Sequence, residues 1–133
     1  MNKPKIGWCV DGSCIQGNPG ICEYRGFDIA ENKIIFEYKI GKGTNNIAEF
    51  LALVHAIALA VKTNNHIDIY SDSLTAIAWV RNKRANSAYK DSIEANKLMK
   101  RAEKWLNENE YSNRILKWET KRWGEVPADF GRK

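Results

Sequence analysis

The sequence predicts an α/β fold, a mixed five-stranded sheet with helices on both faces, formed by a single domain over residues 1–133. Three strand-like runs open the chain and are joined by short polar links, which indicates a three-stranded antiparallel meander. Helix-like and strand-like segments then alternate, a pattern typical of two parallel strands reached through crossover connections. A chain of 133 residues is long enough for one such domain with its own core.

The composition is that of a globular protein, with 44% apolar and 28% charged residues. The net charge of +5 and the isoelectric point of about 9.1 favour an anionic partner without identifying it. The opening residues MNKPKIGWCV contain no long apolar region, and no run is read as long enough to span a membrane. We therefore expect a cytoplasmic, monomeric protein with no membrane partner.

The meander is predicted from three runs. PKIGWCVDG (4–12) alternates, with Ile6, Trp8 and Val10 on one face, and reads as a strand that ends near Asp11. CIQGNPG (14–20) is a turn because of its glycine and Asn-Pro content. ICEYRGFDIA (21–30) and KIIFEYKI (33–40) are the next two strands.

The second half contains helices and two further strands. TNNIAEFLALVHAIALAV (44–61) reads as a buried helix, and HIDIYSD (66–72) as a buried strand that ends at Asp72. SLTAIAWVRNK (73–83) and residues 87–109 read as helices, and RILKWET (114–120) as the last strand. WGEVPADFGRK (123–133) is predicted to be a short turn or helix.

Glu49 is unusual because it lies in an almost wholly apolar helix, where an unpartnered carboxylate is costly. Asn46-Ile-Ala-Glu49 fits a capping box, in which Glu49 accepts a hydrogen bond from a free backbone N–H. An acid in the first turn also suits the helix dipole. From this stretch alone, capping is the favoured explanation.

The acids at the strand ends permit a second explanation. Asp11 ends the first strand, Asp72 ends the fourth, and Glu49 begins the helix between them, so the three can meet where the sheet connections diverge. Carboxylates gathered there repel one another unless a cation lies among them, and an all-oxygen donor set suits Mg²⁺ or Mn²⁺. Each acid alone also has a structural explanation: Asp11-Gly as a turn pair, Asp72-Ser73 as a helix N-cap, Glu49 as a cap. Spacing alone does not decide between these explanations.

The cysteines Cys9, Cys14 and Cys22 form neither a CxxC pair nor an even set. A structural zinc site needs four suitably spaced ligands, and both histidines lie far from these residues in the sequence. We therefore expect three reduced thiols.

Four motifs, in this order, resemble type 1 ribonuclease H along the whole chain: VDGSC (10–14) with GNPG (17–20), TNNIAEFLAL (44–53), YSDS (70–73) and WGEVPADFGRK (123–133). The closing segment is similar to a bacterial subgroup that ends in a Trp-Gly-Glu…Ala-Asp pattern. The resemblance implies the ribonuclease H-like fold. It also implies hydrolysis of the RNA strand of an RNA–DNA hybrid, which leaves 5′-phosphate and 3′-hydroxyl ends.

The resemblance further implies that Asp11, Glu49, Asp72 and Asp129 bind two Mg²⁺ ions, with Mn²⁺ as an alternative. Asp11 would bridge the ions, Asp129 would help hold the ion that activates water, and Glu49 and Asp72 would hold the other. Glu125, four residues before Asp129, is a further catalytic candidate that lies on the same face if this segment is helical.

Substrate contacts are implied in the same way. The backbone from Ser13 through Cys14 to Gly17, with Asn45 and Glu49, would meet RNA 2′-hydroxyls. Residues implied on the DNA-strand side are Asn18, Thr44, Asn46 and Ser87. Trp79 would line the DNA channel or belong to the core. The basic residues expected to contact phosphates or to form a solvated surface are Arg81, Lys83, Arg84 and Lys90.

Two rival functions stay open at this point: a non-catalytic nucleic-acid-binding module of the same fold, and a related metal nuclease with another substrate. The sequence departs from the family pattern in a first loop that is one residue longer, in Ala88 and in Leu74. Many members carry a histidine before the last helix. We expect His55 to be a packed helix residue and His66 a surface residue, so neither takes that place.

Overall fold

The computed structural model describes residues 2–131, which form five strands and four helices in one sheet-based fold. The strands are β1 (Trp8–Ile15), β2 (Gly20–Asp28), β3 (Lys33–Gly43), β4 (Ile69–Ser71) and β5 (Ile115–Lys117). The helices are α1 (Asn45–Lys62), α2 (Leu74–Asn82), α3 (Ile93–Glu108) and α4 (Thr120–Trp123).

The strand order in the sheet is β3-β2-β1-β4-β5. The pairs β1–β2 and β2–β3 are antiparallel, whereas β4 lies parallel to β1 and β5 parallel to β4. The predicted meander followed by two parallel strands is therefore confirmed.

The two faces of the sheet are covered differently. Because side chains alternate along a strand, Val10 joins the core formed with α1, α2 and α3, whereas Cys9 faces the opposite side. There Cys9 packs with Trp118, Trp123 and Val126, so the opposite face is covered by α4 and the segment around it. The prediction of helices on both faces is confirmed. Ile6 is an exception to the predicted alternation, because it precedes β1 and is 70% exposed.

The extent of β1 differs from the prediction. The strand continues past Asp11 to Ile15, because its pairing with β2 continues to the Ile15–Ile21 pair. Its pairing with β4 covers only Trp8 and Cys9. Asp11 therefore lies inside a strand, but just beyond the point where β1 and β4 separate.

Helix α1 begins earlier than the capping-box interpretation requires. Thr44 is the N-cap, and its Oγ1 accepts a hydrogen bond from the Ile47 N–H at 3.2 Å. Glu49 is consequently the fifth residue of the helix, beyond the first turn, and the interpretation of Glu49 as a capping residue is wrong. Helix α1 is also long and apolar enough to cross a membrane, although the sequence analysis predicted no segment of that length. However, 61% of this segment is buried inside the protein.

The long amphipathic helix is shorter than predicted. Ser92 caps α3 by accepting a hydrogen bond from the Ala95 N–H at 3.1 Å, so residues 87–91 belong to the connection from α2. The closing segment forms a turn, as predicted, in which the Asp129 N–H donates to the Val126 carbonyl at 2.8 Å. Arg132 and Lys133 lie outside the described residues.

The expectation of three reduced thiols is wrong for two of them. Cys14 and Cys22 face each other across the β1–β2 pair and form a disulfide, with their Cα atoms 4.0 Å apart. Their pairing follows from the register of the hairpin, which the spacing of cysteines along the sequence does not reveal. Cys9 is a free and fully buried thiol, and burial raises its pKa to about 12.

Candidate active site

Three carboxylates meet where β1 and β4 separate. One oxygen from each of Asp11, Glu49 and Asp72 lies within 4.8 Å of the other two. Asp11 is fully buried, Glu49 is 6% exposed and Asp72 is half-buried. They come from β1, α1 and the residue after β4, so the fold brings together three acids that are far apart in the sequence.

Gly12 allows this convergence. A Cβ atom added at Gly12 would lie 2.6 Å from the Cβ of Ala48 and 2.6 Å from the backbone nitrogen of Glu49. Any larger residue would therefore push α1 away from β1. The glycine lets the helix approach closely enough to set Glu49 beside Asp11.

Local structural roles do not account for the three carboxylates. Asp11 belongs to a strand and not to a turn, and Glu49 lies beyond the capping positions. The N-cap of α2 is Ser73, whose Oγ accepts a hydrogen bond from the Ala76 N–H at 3.0 Å. Capping thus does not account for the carboxylate of Asp72.

The three acids fit a hard divalent cation. Carboxylates this close and this buried repel one another unless a positive charge offsets them. All-oxygen donor sets suit Mg²⁺ or Mn²⁺ better than softer metals. The donor chemistry therefore indicates a divalent metal site without distinguishing these two ions.

Asp129 approaches this group through its neighbour in the chain. The Phe130 N–H donates a hydrogen bond to Oδ2 of Asp11 at 3.3 Å. Oδ2 of Asp129 accepts from the Gly131 N–H at 2.9 Å, and its Oδ1 is buried. Asp129 is not one of the three acids within 4.8 Å of one another, but its segment contacts Asp11 directly.

Glu125 is placed differently from the prediction. Residues 124–131 are not helical, because α4 ends at Trp123, so the four-residue spacing does not put Glu125 and Asp129 on one helix face. Glu125 is exposed to solvent.

The predicted substrate-binding loop is joined to the start of α1. The Cys14 N–H donates to Oδ1 of Asn45 at 3.1 Å, and the Asn45 N–H donates to Oδ1 of Asn18 at 3.0 Å. Gly17, Asn18, Asn45 and Asn46 are exposed, whereas Ser13 is buried. The Thr44 hydroxyl serves as the helix cap.

The remaining predicted contacts lie on and after α2. Trp79 is only 9% exposed and packs edge-to-face on Phe50, with ring centroids 5.8 Å apart, so most of its ring belongs to the core. Ser87 is half-buried, and its Oγ accepts from the Tyr89 N–H at 3.2 Å. The exposed basic residues nearby are Arg81, Lys83, Arg84 and Lys90.

His55 is a packed helix residue and His66 a surface residue, as expected. His55 is half-buried and stacks on Phe36 with ring centroids 4.0 Å apart. Its Nδ1 is 2.8 Å from the Tyr24 hydroxyl. His66 is exposed and hydrogen-bonds to Ser112.

Sequence reasoning missed Arg25, which lies directly opposite Asp11 in the β1–β2 pair. Its guanidinium contacts the segment that carries Asp129. The observed register is centred on Asn18, whereas the predicted turn (14–20) is centred on Gly17 and would place a different residue opposite Asp11. The contacts with the irregular closing segment leave no periodic signal in the sequence.

The chain matches known proteins over most of its length. The RNase H family model matches residues 3–123. RNase H1 from the archaeon Halobacterium salinarum is 20% identical, with a TM-score of 0.55 over 89% of this chain and 90% of that one. LC11-RNase H1, isolated from compost by a metagenomic approach, is 21% identical, with a TM-score of 0.55 over 89% and 87% of the two chains.

A viral structure shares the same fold. The foamy viral protease-reverse transcriptase, solved in complex with an RNA/DNA hybrid, is 18% identical, with a TM-score of 0.53 over 87% of this chain and 17% of that one. At these identities the structures show a common fold, and the family model covers most of the sequence. The chain therefore belongs to the RNase H family and is a ribonuclease H enzyme.

Proposed function

We propose that this protein hydrolyses the RNA strand of RNA–DNA hybrids with the help of two divalent cations, leaving 5′-phosphate and 3′-hydroxyl ends. The observation that carries the proposal is the convergence of Asp11, Glu49 and Asp72 within 4.8 Å in a chain of the RNase H family. The hybrid bound to the foamy viral relative supports this choice of substrate.

In this proposal Asp11, Glu49, Asp72 and Asp129 hold two Mg²⁺ ions, with Mn²⁺ as the alternative. Bound divalent cations lower the pKa of bound water and neutralise negative charge on a reacting phosphate. The protein's own contribution is to hold the carboxylates in place. Asp11 lies on a strand paired on both sides near its start and accepts a hydrogen bond from Phe130, so its oxygens have a fixed direction.

Substrate recognition in this proposal uses exposed polar groups rather than base readout. The hydrogen bonds among Cys14, Asn45 and Asn18 fix the loop before β2 against α1. A preordered loop can contact 2′-hydroxyl groups, which distinguish RNA from DNA. Phosphate contacts by Arg81, Lys83, Arg84 and Lys90 would make hybrid affinity fall as the salt concentration rises.

Three further statements are part of the proposal: membership of the bacterial subgroup with the Trp-Gly-Glu…Ala-Asp ending, a monomeric state and a cytoplasmic location. In that compartment thiol reductants keep most cysteines reduced. The bond between Cys14 and Cys22 is therefore expected in air-oxidised, purified protein.

A cleavage assay with end-labelled strands tests the function. The substrates are an RNA–DNA hybrid, duplex DNA and duplex RNA of one sequence, each incubated with Mg²⁺, with Mn²⁺ and with EDTA. We expect the RNA strand of the hybrid alone to be cut, and only when metal is present. Binding of the hybrid without cleavage would instead support a non-catalytic module, and comparable cleavage of duplex DNA would support a nuclease of another specificity.

A further inference from the structure

Arg25 on β2 binds the closing segment at consecutive residues. Its Nε donates to the Ala128 carbonyl at 2.8 Å, and one of its terminal nitrogens donates to the Asp129 carbonyl at 3.1 Å. The guanidinium carbon also lies 4.0 Å from the centre of the Phe130 ring. A single side chain therefore contacts three successive residues, and Asp129 is the central one.

The position of Arg25 relates this contact to the acid group. Arg25 is opposite Asp11 in the antiparallel β1–β2 pair, so the two side chains leave the same face of the sheet. The Phe130 N–H in turn donates to Oδ2 of Asp11. The segment is thus fixed to both strands, on either side of the Asp129 side chain.

The contacts of Arg25 indicate an effect on the position of Asp129 rather than on its charge. The acceptors are two neutral carbonyls, and the planar fork of a guanidinium holds both in one orientation. Fixing these two successive carbonyls fixes the peptide groups on both sides of the Asp129 Cα, and with them the direction in which the Asp129 side chain leaves the backbone. The Arg25 side chain is only 19% exposed, so water competes little for these bonds.

Arg25 contacts Glu37 much less closely than it contacts the two carbonyls. Its carboxylate is 3.9 Å from Arg25, at the outer limit of an ion pair, and its side chain is 54% exposed. Exposed ion pairs of this kind contribute little. Arg25 therefore depends mainly on the backbone carbonyls for its orientation.

We propose that Arg25 is a positioning residue that fixes Asp129 for metal binding. The inference rests on the proposed function, because it takes Asp129 as a metal ligand. It adds a residue that no motif of the sequence analysis contains.

The test compares Arg25→Met, Arg25→Lys and the control Glu37→Gln with the wild-type protein. Arg25→Met removes both hydrogen bonds, whereas Arg25→Lys keeps the charge but not the planar fork. Thermal unfolding checks that each variant is folded. Should Arg25→Met fail to fold, Arg25→Lys carries the test.

The first measurement is independent of activity. Hydrogen exchange of the metal-free protein, followed by mass spectrometry, reports on the amides of Asp129, Phe130 and Gly131, each of which donates a hydrogen bond. We expect exchange in this segment to be at least several-fold faster in both Arg25 variants and unchanged in Glu37→Gln. Unchanged exchange in the Arg25 variants would overturn the proposal.

The second measurement is hybrid cleavage as a function of Mg²⁺ concentration. We expect kcat to fall about tenfold to a hundredfold in Arg25→Met, since misplacing a group by about 1 Å has effects of this size. The Mg²⁺ concentration for half-maximal activity should rise, KM for the hybrid should change little, and Arg25→Lys should be intermediate. Wild-type Mg²⁺ dependence in Arg25→Met, or an equal loss in Glu37→Gln, would overturn the proposal.

Failure of the proposed function gives a different result. In that case the wild-type protein itself does not cleave the hybrid, while hydrogen exchange still shows whether Arg25 holds the segment. If the wild-type enzyme cleaves the hybrid and the Arg25 variants match it in hydrogen exchange and in Mg²⁺ dependence, only the role of Arg25 is refuted.

Discussion

Gly12 and Ala48 are packed so closely that a methyl group on Gly12 would lie 2.6 Å from the Ala48 Cβ. The contact joins the strand that carries Asp11 to the helix turn that carries Glu49. The spacing of the two acids therefore depends on a residue that has no functional group of its own.

Gly12→Ala should consequently damage both stability and activity. Relieving the overlap requires a shift of α1, and overpacking of this kind costs about 1–3 kcal/mol. We expect the free energy of unfolding, measured with urea, to fall by that amount, and hybrid cleavage to fall further because Glu49 moves. The matched control is Gly43→Ala, whose added Cβ would meet its nearest atom, Cys22 Sγ, at an ordinary 3.6 Å. Equal stability in the two variants would contradict the role of Gly12.

Asp72→Asn should abolish cleavage while the protein stays folded and still binds the hybrid. The substitution removes a charged oxygen donor from the acid group but changes the side-chain shape very little. The measurements are metal-dependent turnover, hybrid affinity and thermal unfolding.

The control for this variant is Asp68→Asn at the other end of β4. Asp68 accepts two hydrogen bonds from Arg114, at 2.9 and 2.7 Å, on an arginine side chain that is 72% exposed. Loss of that pair should change stability little, because exposed ion pairs contribute little, and it should leave turnover unchanged. Substantial Mg²⁺-dependent turnover in Asp72→Asn would show that the metal assignment is wrong.

The order of elements was predictable because each element has its own local period, as in the alternation through Trp8 and Val10. The assignment of Asp11, Glu49 and Asp72 to one site required the resemblance to a family, because each acid also fits a common local motif. The features that could not be predicted depend on the pairing register of the β1–β2 hairpin and on the choice of the helix N-cap. The choice of Thr44 as the N-cap moved Glu49 out of the first turn, and the hairpin register paired Cys14 with Cys22. Local sequence holds little information on either choice.

The Cys14–Cys22 bond should be present in protein purified in air. Mass spectrometry of the unreduced protein is expected to show a mass two hydrogens below that of the reduced chain, with Cys9 as the thiol that reacts only after unfolding. A loop closed over 8 residues stabilises by about 2–3 kcal/mol in the chain-entropy model. Reduction should lower the free energy of unfolding by about that much, and Cys22→Ser should not respond to reductant. Three reactive thiols after the unreduced protein is unfolded would contradict the pairing.

His55 should make stability depend on pH. Burial lowers its pKa below the ordinary value of 6.5, so the unfolded chain takes up a proton before the folded protein does. The free energy of unfolding should therefore fall as the pH drops below about 6.5, until the lowered pKa of the folded state is reached. His55→Gln, which does not titrate, should show a smaller fall over this range in urea unfolding between pH 7.5 and 5. Parallel curves for the two proteins would show that His55 does not contribute.

Glu125 remains a catalytic candidate, although it does not share a helix face with Asp129. The residue before Glu125 is Gly124, whose positive φ of 82° suits glycine. Its backbone is in fact held on both sides, because its N–H donates to the Thr120 carbonyl and its carbonyl accepts from Trp118 Nε1, both at 2.9 Å. Any mobility must therefore come from the exposed Glu125 side chain itself.

This difference between Glu125 and Asp129 predicts different kinetics for their variants. Asp129 is half-buried in a segment fixed by Arg25 and Asp11, so Asp129→Asn should remove nearly all cleavage, in single-turnover as well as steady-state experiments. Glu125→Gln should slow the steady state more than the single turnover and leave hybrid affinity almost unchanged, because we expect its exposed carboxylate to act on product release rather than on metal binding. Near-complete loss in both variants would make Glu125 a metal ligand. Wild-type rates in Glu125→Gln would make it an ordinary surface glutamate, and the release step would then need another group.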